Sequence, residues 1–182
     1  MIIGIDVDGV LRDFVGKLTE CFKRDYPALA SKVQPVTAWD MHQFFGMDKV
    51  PFNAYWQTIR GPEIMRDAPP IESHARDFVA ALRKAGHKII ISSAQWPCVH
   101  SILPVWLQEH GIEYDGLCIL ADKSLIKLDI LLDDGVHNLG NVHAGCIPVC
   151  YDQPWNQEWM GTRVHTMSAF YDYVIEGKYA GL

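Results

Sequence analysis

Hydrophobic runs of strand length recur five times along the chain, and segments with helical periodicity separate most of them. The runs are Ile2 to Val7, His87 to Ser92, Leu117 to Leu120, Asp129 to Leu132 and Cys146 to Tyr151. This alternation is typical of a parallel sheet with helical crossovers. A chain of 182 residues has room for one such domain and a modest insertion. The sequence therefore predicts an α/β fold with a Rossmann-like, doubly wound parallel sheet.

Cap and stop residues predict where the crossover helices lie. The clearest helix is expected to begin with Ser73 as its cap and to end at Gly86, just before the second run. A further helix is expected to end at Gly111, and the last to run from Met167 to Glu176. Helices and strands thus alternate from residue 73 onward.

The interval between the first two strands breaks this alternation. About sixty residues intervene, too many for an unstructured loop in a compact domain. The interval ends at Pro69-Pro70, a candidate hinge. We predict a core of residues 1–13 and 73–182, and a small inserted helical cap of residues 14–72. The cap is unusually aromatic, and most of its rings are expected to form its own core: Phe14, Phe22, Tyr26, Trp39, Phe44, Phe45, Phe52, Tyr55 and Trp56.

Two carboxylates end the first strand. Asp6 and Asp8 lie where the hydrophobic run meets Gly9, and open α/β sheets bind ligands at the carboxyl ends of their strands. Successive side chains on a strand alternate faces, so the two acids can share a site only if the chain turns between them, which Gly9 permits. An isolated Asp-x-Asp is equally typical of a solvated strand end. Its meaning therefore depends on its partners.

Polar residues also end two later strands. Ser92 and Ser93 finish the second strand with hydroxyls that can donate to a phosphate oxygen. Lys123 precedes the fourth strand, which ends in Asp133 and Asp134. Acids this close raise each other's pKa unless a cation lies between them. Carboxylates, a carbonyl and a phosphate oxygen suit Mg²⁺, the cofactor that we expect.

Composition argues against several classes of protein. The formal net charge is −6, whereas a protein that binds duplex nucleic acid needs a basic stripe. The chain has no apolar stretch of membrane-helix length, and its first residues are interpreted as a strand, so neither a membrane span nor an export signal is expected. The eight histidines form no zinc-type cluster. Five cysteines, interpreted as core thiols, favour a cytoplasmic location: Cys21, Cys98, Cys118, Cys146 and Cys150.

Four of these features, in this order, resemble the motifs of the haloacid dehalogenase (HAD) superfamily of phosphotransferases. They are Asp6-Val7-Asp8-Gly9-Val10, Ser92, Lys123 and Asp133-Asp134. The segment from Asp6 to Phe14 and the pair Asp122-Lys123 are similar to the 5′(3′)-deoxyribonucleotidases within that superfamily. The resemblance implies a HAD core and a phosphatase.

The resemblance also implies roles for the reacting groups. Asp6 would attack phosphorus to give an aspartyl phosphate, and Asp8 would protonate the leaving oxygen and then activate water. Lys123 and Ser92 would hold the phosphoryl oxygens, with Ser93 as a second phosphate contact.

The metal contacts and one nucleobase contact follow from the same resemblance. Mg²⁺ would lie between Asp6, the carbonyl of Asp8 and the terminal acids, with Asp134 as the direct ligand and Asp133 as its support. Phe14, which follows the first motif directly, carries over from the family as a base-stacking ring. Trp39 and Phe45 are further candidates that come from the aromatic cap itself, because the cap does not align with the family beyond the first motif.

Two departures from the family bear on phosphate binding. The family commonly has a second basic residue after the serine motif, yet residues 95–122 contain no lysine or arginine. Arg12 stands where the family often has a small residue. Either the phosphate is held less tightly, or Arg12 supplies the charge.

The function expected from these features is Mg²⁺-dependent hydrolysis of (deoxy)ribonucleoside monophosphates. The substrate would be a small phosphomonoester, and the oligomeric state, monomer or homodimer, is left open. A phosphatase acting on a sugar phosphate or a polynucleotide 3′-phosphate is the main alternative. A non-enzymatic phospho-receiver domain is a further one, although receivers carry their adjacent acids on the first strand and lack an inserted cap.

Overall fold

The computed structural model describes residues 1–178 and has a six-stranded sheet in the order β3-β2-β1-β4-β5-β6, with every neighbouring pair parallel. The predicted α/β fold class is confirmed. The strand order reverses direction at β1, and open sheets bind their ligands at such a switch point. The strands are β1 (Ile2–Ile5), β2 (Lys88–Ser93), β3 (Gly116–Ile119), β4 (Ile130–Asp133), β5 (Ile147–Tyr151) and β6 (Arg163–Val164).

Seven α-helices accompany these strands in the described part of the chain: α1 (Phe14–Asp25), α2 (Lys49–Ala54), α3 (Gly61–Asp67), α4 (Ala75–Lys84), α5 (Ile102–Glu109), α6 (Val136–Leu139) and α7 (Met167–Ile175). Helix α2 continues into a π-helical turn, Tyr55–Ile59. The prediction that Ser73 caps α4 is wrong. A turn closed by the Ala75 amide and the Glu72 carbonyl at 3.1 Å moves the start of the helix, so that His74 flanks it.

The main hydrophobic core lies on one face of the sheet. Alternate strand residues point into it, among them Ile3, Ile5, Ile89 and Ile91, and helices α4, α5 and α7 cover them. A smaller cluster around Leu131 lies apart from this core. Strands covered in this way bury their backbone, so that only the carboxyl edge is left for polar chemistry.

Helices α1 to α3 form a second cluster from the aromatic segment. Its fully buried members include Phe22, Phe45 and Phe52. The two connections to the sheet run side by side, because the Asp13 amide bonds the Pro69 carbonyl at 2.8 Å and Ile71 bonds Leu11 at 2.9 Å. The limits of the core (1–13 and 73–182) and of the cap (14–72) stay a prediction.

All five cysteines are free thiols. Cys21, Cys146 and Cys150 are buried, whereas Cys118 is half-buried and Cys98 is exposed, so the interpretation as core thiols is wrong for Cys98. Cys98 lies on a short 3₁₀ turn after β2, outside the hydrophobic clusters. Among residues 1–178, no helix combines the length and the apolar character that a membrane span requires.

Candidate active site

The turn after β1 brings the two acids of the first motif to the sheet edge. The Asp6 amide still bonds the Leu132 carbonyl of β4 at 2.9 Å, and the chain then turns back on the Val7 carbonyl. Gly9 has φ +85°, and a Cβ there would lie 2.2 Å from an Asp134 oxygen. Only glycine therefore lets the backbone of this turn approach the acids that follow β4.

Lys123 lies between two of these acids. Its Nζ donates to Asp6 Oδ1 at 2.7 Å and to Asp133 Oδ2 at 2.5 Å, and all three side chains are buried. The other Asp133 oxygen accepts from the Gly135 amide at 2.8 Å and from Asn138 at 3.1 Å. Because both of its oxygens accept protein hydrogen bonds, Asp133 is suited to a supporting position.

Asp134 is held by a loop that the sequence did not single out. The Trp155 indole donates to Asp134 Oδ2 at 2.8 Å, and the Asn156 amide donates to the Asp134 carbonyl at 2.9 Å. Gln153 from the same loop donates to the Gly9 carbonyl at 2.7 Å. No motif or periodicity marks these residues, because their role depends on a loop after β5 folding back over the sheet edge.

The acids carry more negative charge than Lys123 balances. Burial, together with the charges of Asp133 and Asp8, raises the pKa of Asp6 to about 7 in spite of Lys123. Burial and the neighbouring carboxylates also raise the pKa of Asp134 well above its usual range. Burial alone would lower the pKa of Lys123, but Asp6 and Asp133 raise it.

A metal ion fits this group of acids. One oxygen from each of Asp6, Asp133 and Asp134 lies within 4.8 Å of the others. One ammonium, that of Lys123, faces these three carboxylates, so negative charge remains for a further cation to balance. Hard carboxylate donors suit a hard divalent cation such as Mg²⁺.

Asp8 is paired with Arg12. Arg12 Nε lies 2.7 Å from Asp8 Oδ1, and its second terminal nitrogen lies 3.0 Å from Oδ2. The Gln95 side chain donates to the same Oδ2 at 3.1 Å. Arg12 is fully buried, does not line the cavity and donates to Asp8 and Met65, so its position does not favour the alternative that it contacts the phosphate.

The two serines bring hydroxyls without a partner to the same edge. Ser92 Oγ and Ser93 Oγ are buried and have no hydrogen-bond partner. Ser93 lines the cavity above the acids, whereas Ser92 lies beneath the surface. A buried hydroxyl without a partner is costly unless a ligand completes it.

Aromatic rings form the wall of this cavity. Trp56 contacts Phe14 at 5.4 Å and Trp96 at 4.6 Å between ring centroids, and Trp39 contacts His137 at 4.6 Å. The lining rings are Phe14, Trp39, Trp56, Trp96 and Trp155, and the charged groups at its base are Asp6, Asp8, Lys123 and Asp134.

The expected base contact of Phe45 is wrong. Its ring is fully buried, with Phe22 at 5.0 Å and Phe52 at 4.7 Å, and it does not reach the cavity. Phe14 could be placed near the site because it follows the first motif directly, but nothing in the sequence indicates which later rings of the segment face the cavity. Phe14 and Trp39 do line the cavity.

Solved structures with a similar fold belong to one class of hydrolases. The L-2-haloacid dehalogenase from Xanthobacter autotrophicus has a TM-score of 0.64 at 12% identity, covering 96% of this chain and 99% of that one. A HAD-superfamily hydrolase from Ehrlichia chaffeensis has a TM-score of 0.57 at 9% identity, covering 96% of each chain. The fold of this chain is thus the fold of hydrolases of the haloacid dehalogenase superfamily.

The sequence profile of one family in that superfamily, "5' nucleotidase, deoxy (Pyrimidine), cytosolic type C protein", matches residues 1–180. The 5′(3′)-deoxyribonucleotidases of Bacillus subtilis and of Bacillus phage SPbeta are each 23% identical over 158 residues, which cover 86% of this chain and 87% of theirs. The chain belongs to this nucleotidase family and is a phosphoric monoester hydrolase.

Proposed function

We propose that the protein hydrolyses (deoxy)ribonucleoside monophosphates to nucleoside and phosphate through an aspartyl-phosphate intermediate. The observation that carries this proposal is Asp6. It lies at the base of an aromatic cavity, bonded to Lys123 and grouped with Asp133 and Asp134. The names of the relatives, deoxyribonucleotidases, favour a deoxynucleotide substrate.

Mg²⁺ is the proposed cofactor. The side chains of Asp6 and Asp134 and the backbone carbonyl of Asp8 would hold it, with Asp133 supporting Asp134. When bound, the ion would supply positive charge next to the phosphoryl oxygens.

Asp6 is the proposed nucleophile. One of its oxygens forms a bond to phosphorus while the bond from phosphorus to the ester oxygen breaks, and Asp8, which enters this step protonated, gives that oxygen its proton. Asp8 then takes a proton from water as the water oxygen bonds phosphorus and the bond to Asp6 breaks. Phosphate leaves and both carboxyl groups return to their starting states.

Lys123 and the two serines are the proposed phosphate contacts. Lys123 presents a buried ammonium beside Asp6, where charge develops during transfer. The Ser93 hydroxyl lines the cavity without a partner and is thus free to donate, and Ser92 stands next to it at the end of β2. These groups act on any phosphomonoester, so they do not select a substrate.

Selection is assigned to the inserted segment. Phe14 and Trp39 are the proposed base contacts, since both rings line the cavity above the charged groups. Residues 14–72 would act as the cap that covers the phosphate, and a cytoplasmic location would give the enzyme access to nucleotides.

Substitution of the two acids tests the mechanism. Asp6→Asn keeps the shape of the side chain but removes the nucleophile, so turnover should fall by several orders of magnitude while the fold persists. Asp8→Asn should allow slow formation of a phosphoenzyme that persists, detectable by acid quench and intact mass. The measurement is phosphate release with Mg²⁺ over ribo- and deoxyribonucleoside monophosphates and sugar phosphates.

Two results would refute parts of the proposal. Activity of Asp6→Asn within tenfold of the wild type would exclude Asp6 as the nucleophile. A preference for sugar phosphates over all nucleotides would overturn the substrate class and leave the phosphatase chemistry intact.

A further inference from the structure

Arg12 is a fully buried arginine, and each of its three side-chain nitrogens has a partner around the active site. Besides the two bonds to Asp8, one terminal nitrogen donates to the Met65 carbonyl at 2.7 Å, and the other lies 3.2 Å from the Met65 sulfur. Its guanidinium carbon lies 5.2 Å from the centre of the Trp106 ring. Asp8 is its one carboxylate partner among the described residues.

A buried guanidinium holds the carboxylate that it binds in one orientation. Removing a charge from water is costly, so a buried arginine is found where its planar donors are matched by a carboxylate. Two parallel hydrogen bonds set the plane of that carboxylate as well as its position. Arg12 holds both oxygens of Asp8 in this way, and a lysine at the same place could not.

Arg12 also joins Asp8 to the inserted segment. Met65 belongs to α3, the last helix of the inserted segment, and it lines the cavity. The chain around Arg12 is held on the same side, where Asp13 and Leu11 bond Pro69 and Ile71. The orientation of Asp8 is thus tied to the position of α3.

We propose that Arg12 is a positioning residue, which aims Asp8 at the leaving oxygen of the substrate through the paired hydrogen bonds. This inference rests on the proposed function, in which Asp8 gives its proton to that oxygen. Arg12 itself touches neither the phosphate nor the nucleophile. Its effect should therefore depend on how much the leaving group needs a proton.

The test compares two leaving groups in the full-length enzyme with Mg²⁺. A nucleoside leaves as a poorly stabilised alkoxide unless it is protonated, whereas para-nitrophenolate leaves readily without a proton. Arg12→Lys should lower kcat/KM for a nucleoside monophosphate about tenfold more than for para-nitrophenyl phosphate. The value of kcat/KM is used because it reports the step in which the leaving group departs.

Three further variants make the result specific. Asp8→Asn should show the same selective loss, and adding Arg12→Lys to Asp8→Asn should cause no further selective loss, because Arg12 acts only through Asp8. Arg66→Lys is the matched control, since Arg66 makes an exposed pair with Glu109 on the same α3 helix. Arg66→Lys should leave kcat/KM unchanged for both substrates.

The outcomes separate the two proposals. Equal losses on both substrates in Arg12→Lys, with a selective loss in Asp8→Asn, would overturn the role of Arg12 alone. Equal losses in Asp8→Asn would overturn the proposed acid. If Arg12→Lys does not fold, the test uses Gln95→Met, which removes the remaining side-chain donor to Asp8. This variant must show the selective loss of kcat/KM for the nucleotide. Equal losses on both substrates would overturn the positioning of Asp8 by its donors.

Discussion

At the scale of single residues, the site combines the acids that are proposed to react or to bind metal with neutral groups that hold them. Trp155 illustrates this best, because its indole nitrogen bonds Asp134 while its ring lines the cavity and packs on the aromatic cluster of the inserted segment. A hydrogen bond to one carboxylate oxygen restricts its rotation and leaves the other free for a metal. Removing a supporting group of this kind typically lowers metal affinity roughly 10- to 100-fold.

Trp155→Phe should weaken Mg²⁺ binding by about 10- to 100-fold, because it keeps an aromatic ring and removes only the donor to Asp134. Calorimetric titration of the substrate-free protein measures this directly. Trp159→Phe is the matched control, since the Trp159 indole donates to the Thr162 carbonyl at 3.1 Å rather than to an acid. Equal affinities in the wild type and in Trp155→Phe would show that the bond does not position Asp134.

Phe14 and Phe45 offer a matched pair for the nucleobase contact. Both rings are buried in the same cluster, but only Phe14 lines the cavity. Stacking on a base is worth roughly 1 to 3 kcal/mol. Phe14→Leu should therefore lower kcat/KM for the preferred nucleotide tenfold or more relative to para-nitrophenyl phosphate, and Phe45→Leu should lower the thermal midpoint without changing that ratio. A ratio unchanged in Phe14→Leu would leave Phe14 as a packing residue.

The positions of the charged residues of the site could be predicted because hydrophobic strands flank them. Asp6, Lys123 and Asp134 lie at strand ends or beside them, and parallel strands bring those ends to one edge. The direction of Arg12 and the depth of Phe45 could not be predicted, since each depends on which neighbours close around it. The sequence shows that Arg12 is a cation and that Phe45 is an aromatic ring, but it does not show that Arg12 binds Asp8 or that Phe45 lies in the interior of the segment.

At the scale of elements, an ionic network joins the helices of the inserted segment. Asp25 at the end of α1 accepts from Arg24 at 2.8 Å, from Arg60 at 2.6 Å and from the buried Tyr55 hydroxyl at 2.9 Å. The bonds from Arg24, Tyr55 and Arg60 hold the pKa of Asp25 well below its usual range, although burial opposes them. Glu63 on α3 completes the network through Arg24 and Arg60.

The lowered pKa gives Asp25 a predictable effect on stability. An acid that ionises more readily in the folded state adds stability above its unfolded pKa of 3.8, and this stability is lost as the pH falls through the lower folded value. Asp25→Asn should lower the free energy of unfolding at pH 7 by about 1 to 3 kcal/mol, with a smaller difference at pH 2.5. Urea unfolding at the two pH values measures both.

Asp77→Asn is the control for this network. Asp77 lies in the first turn of α4 with 62% of its side chain exposed, so its substitution should change the free energy of unfolding by less than about 0.5 kcal/mol at either pH. A difference for Asp25→Asn that is the same at pH 7 and pH 2.5 would show that its effect is not ionic.

Elements with a strong hydrophobic pattern were predicted within a few residues, and those without one were missed. Strands β1 to β5 and helix α7 follow from the pattern of the chain. Strand β6 has only two residues, and the loop between β5 and β6, which holds Asp134, has no periodicity. Both depend on long-range hydrogen bonds, such as that from Cys150 to the Thr162 carbonyl at 2.9 Å, which no local window of sequence contains.

At the scale of the whole molecule, the sheet and the inserted segment together bury an unbalanced cluster of negative charge. Asp6, Asp133 and Asp134 share one ammonium, that of Lys123. An acid whose folded pKa is raised stabilises the fold below its unfolded pKa, and that contribution is lost as the pH rises through the folded value, about 7 for Asp6. Without a metal, the fold should therefore weaken between about pH 4 and pH 7.

Mg²⁺ should reverse this loss, and the effect should grow with pH because the ion competes with protons for the same oxygens. At a concentration about a hundredfold above its dissociation constant, the ion should raise the thermal midpoint by about 5 to 10 °C, and by less at pH 5.5 than at pH 8. Asp134→Asn should remove most of this shift. Asp48 is an exposed carboxylate of the inserted segment, so Asp48→Asn should retain the shift.

A chelator should abolish turnover, and Mg²⁺ should restore it better than Ca²⁺, whose longer bonds hold the phosphoryl group differently. A midpoint that does not respond to Mg²⁺ at pH 8, together with full activity in the chelator, would contradict the metal site.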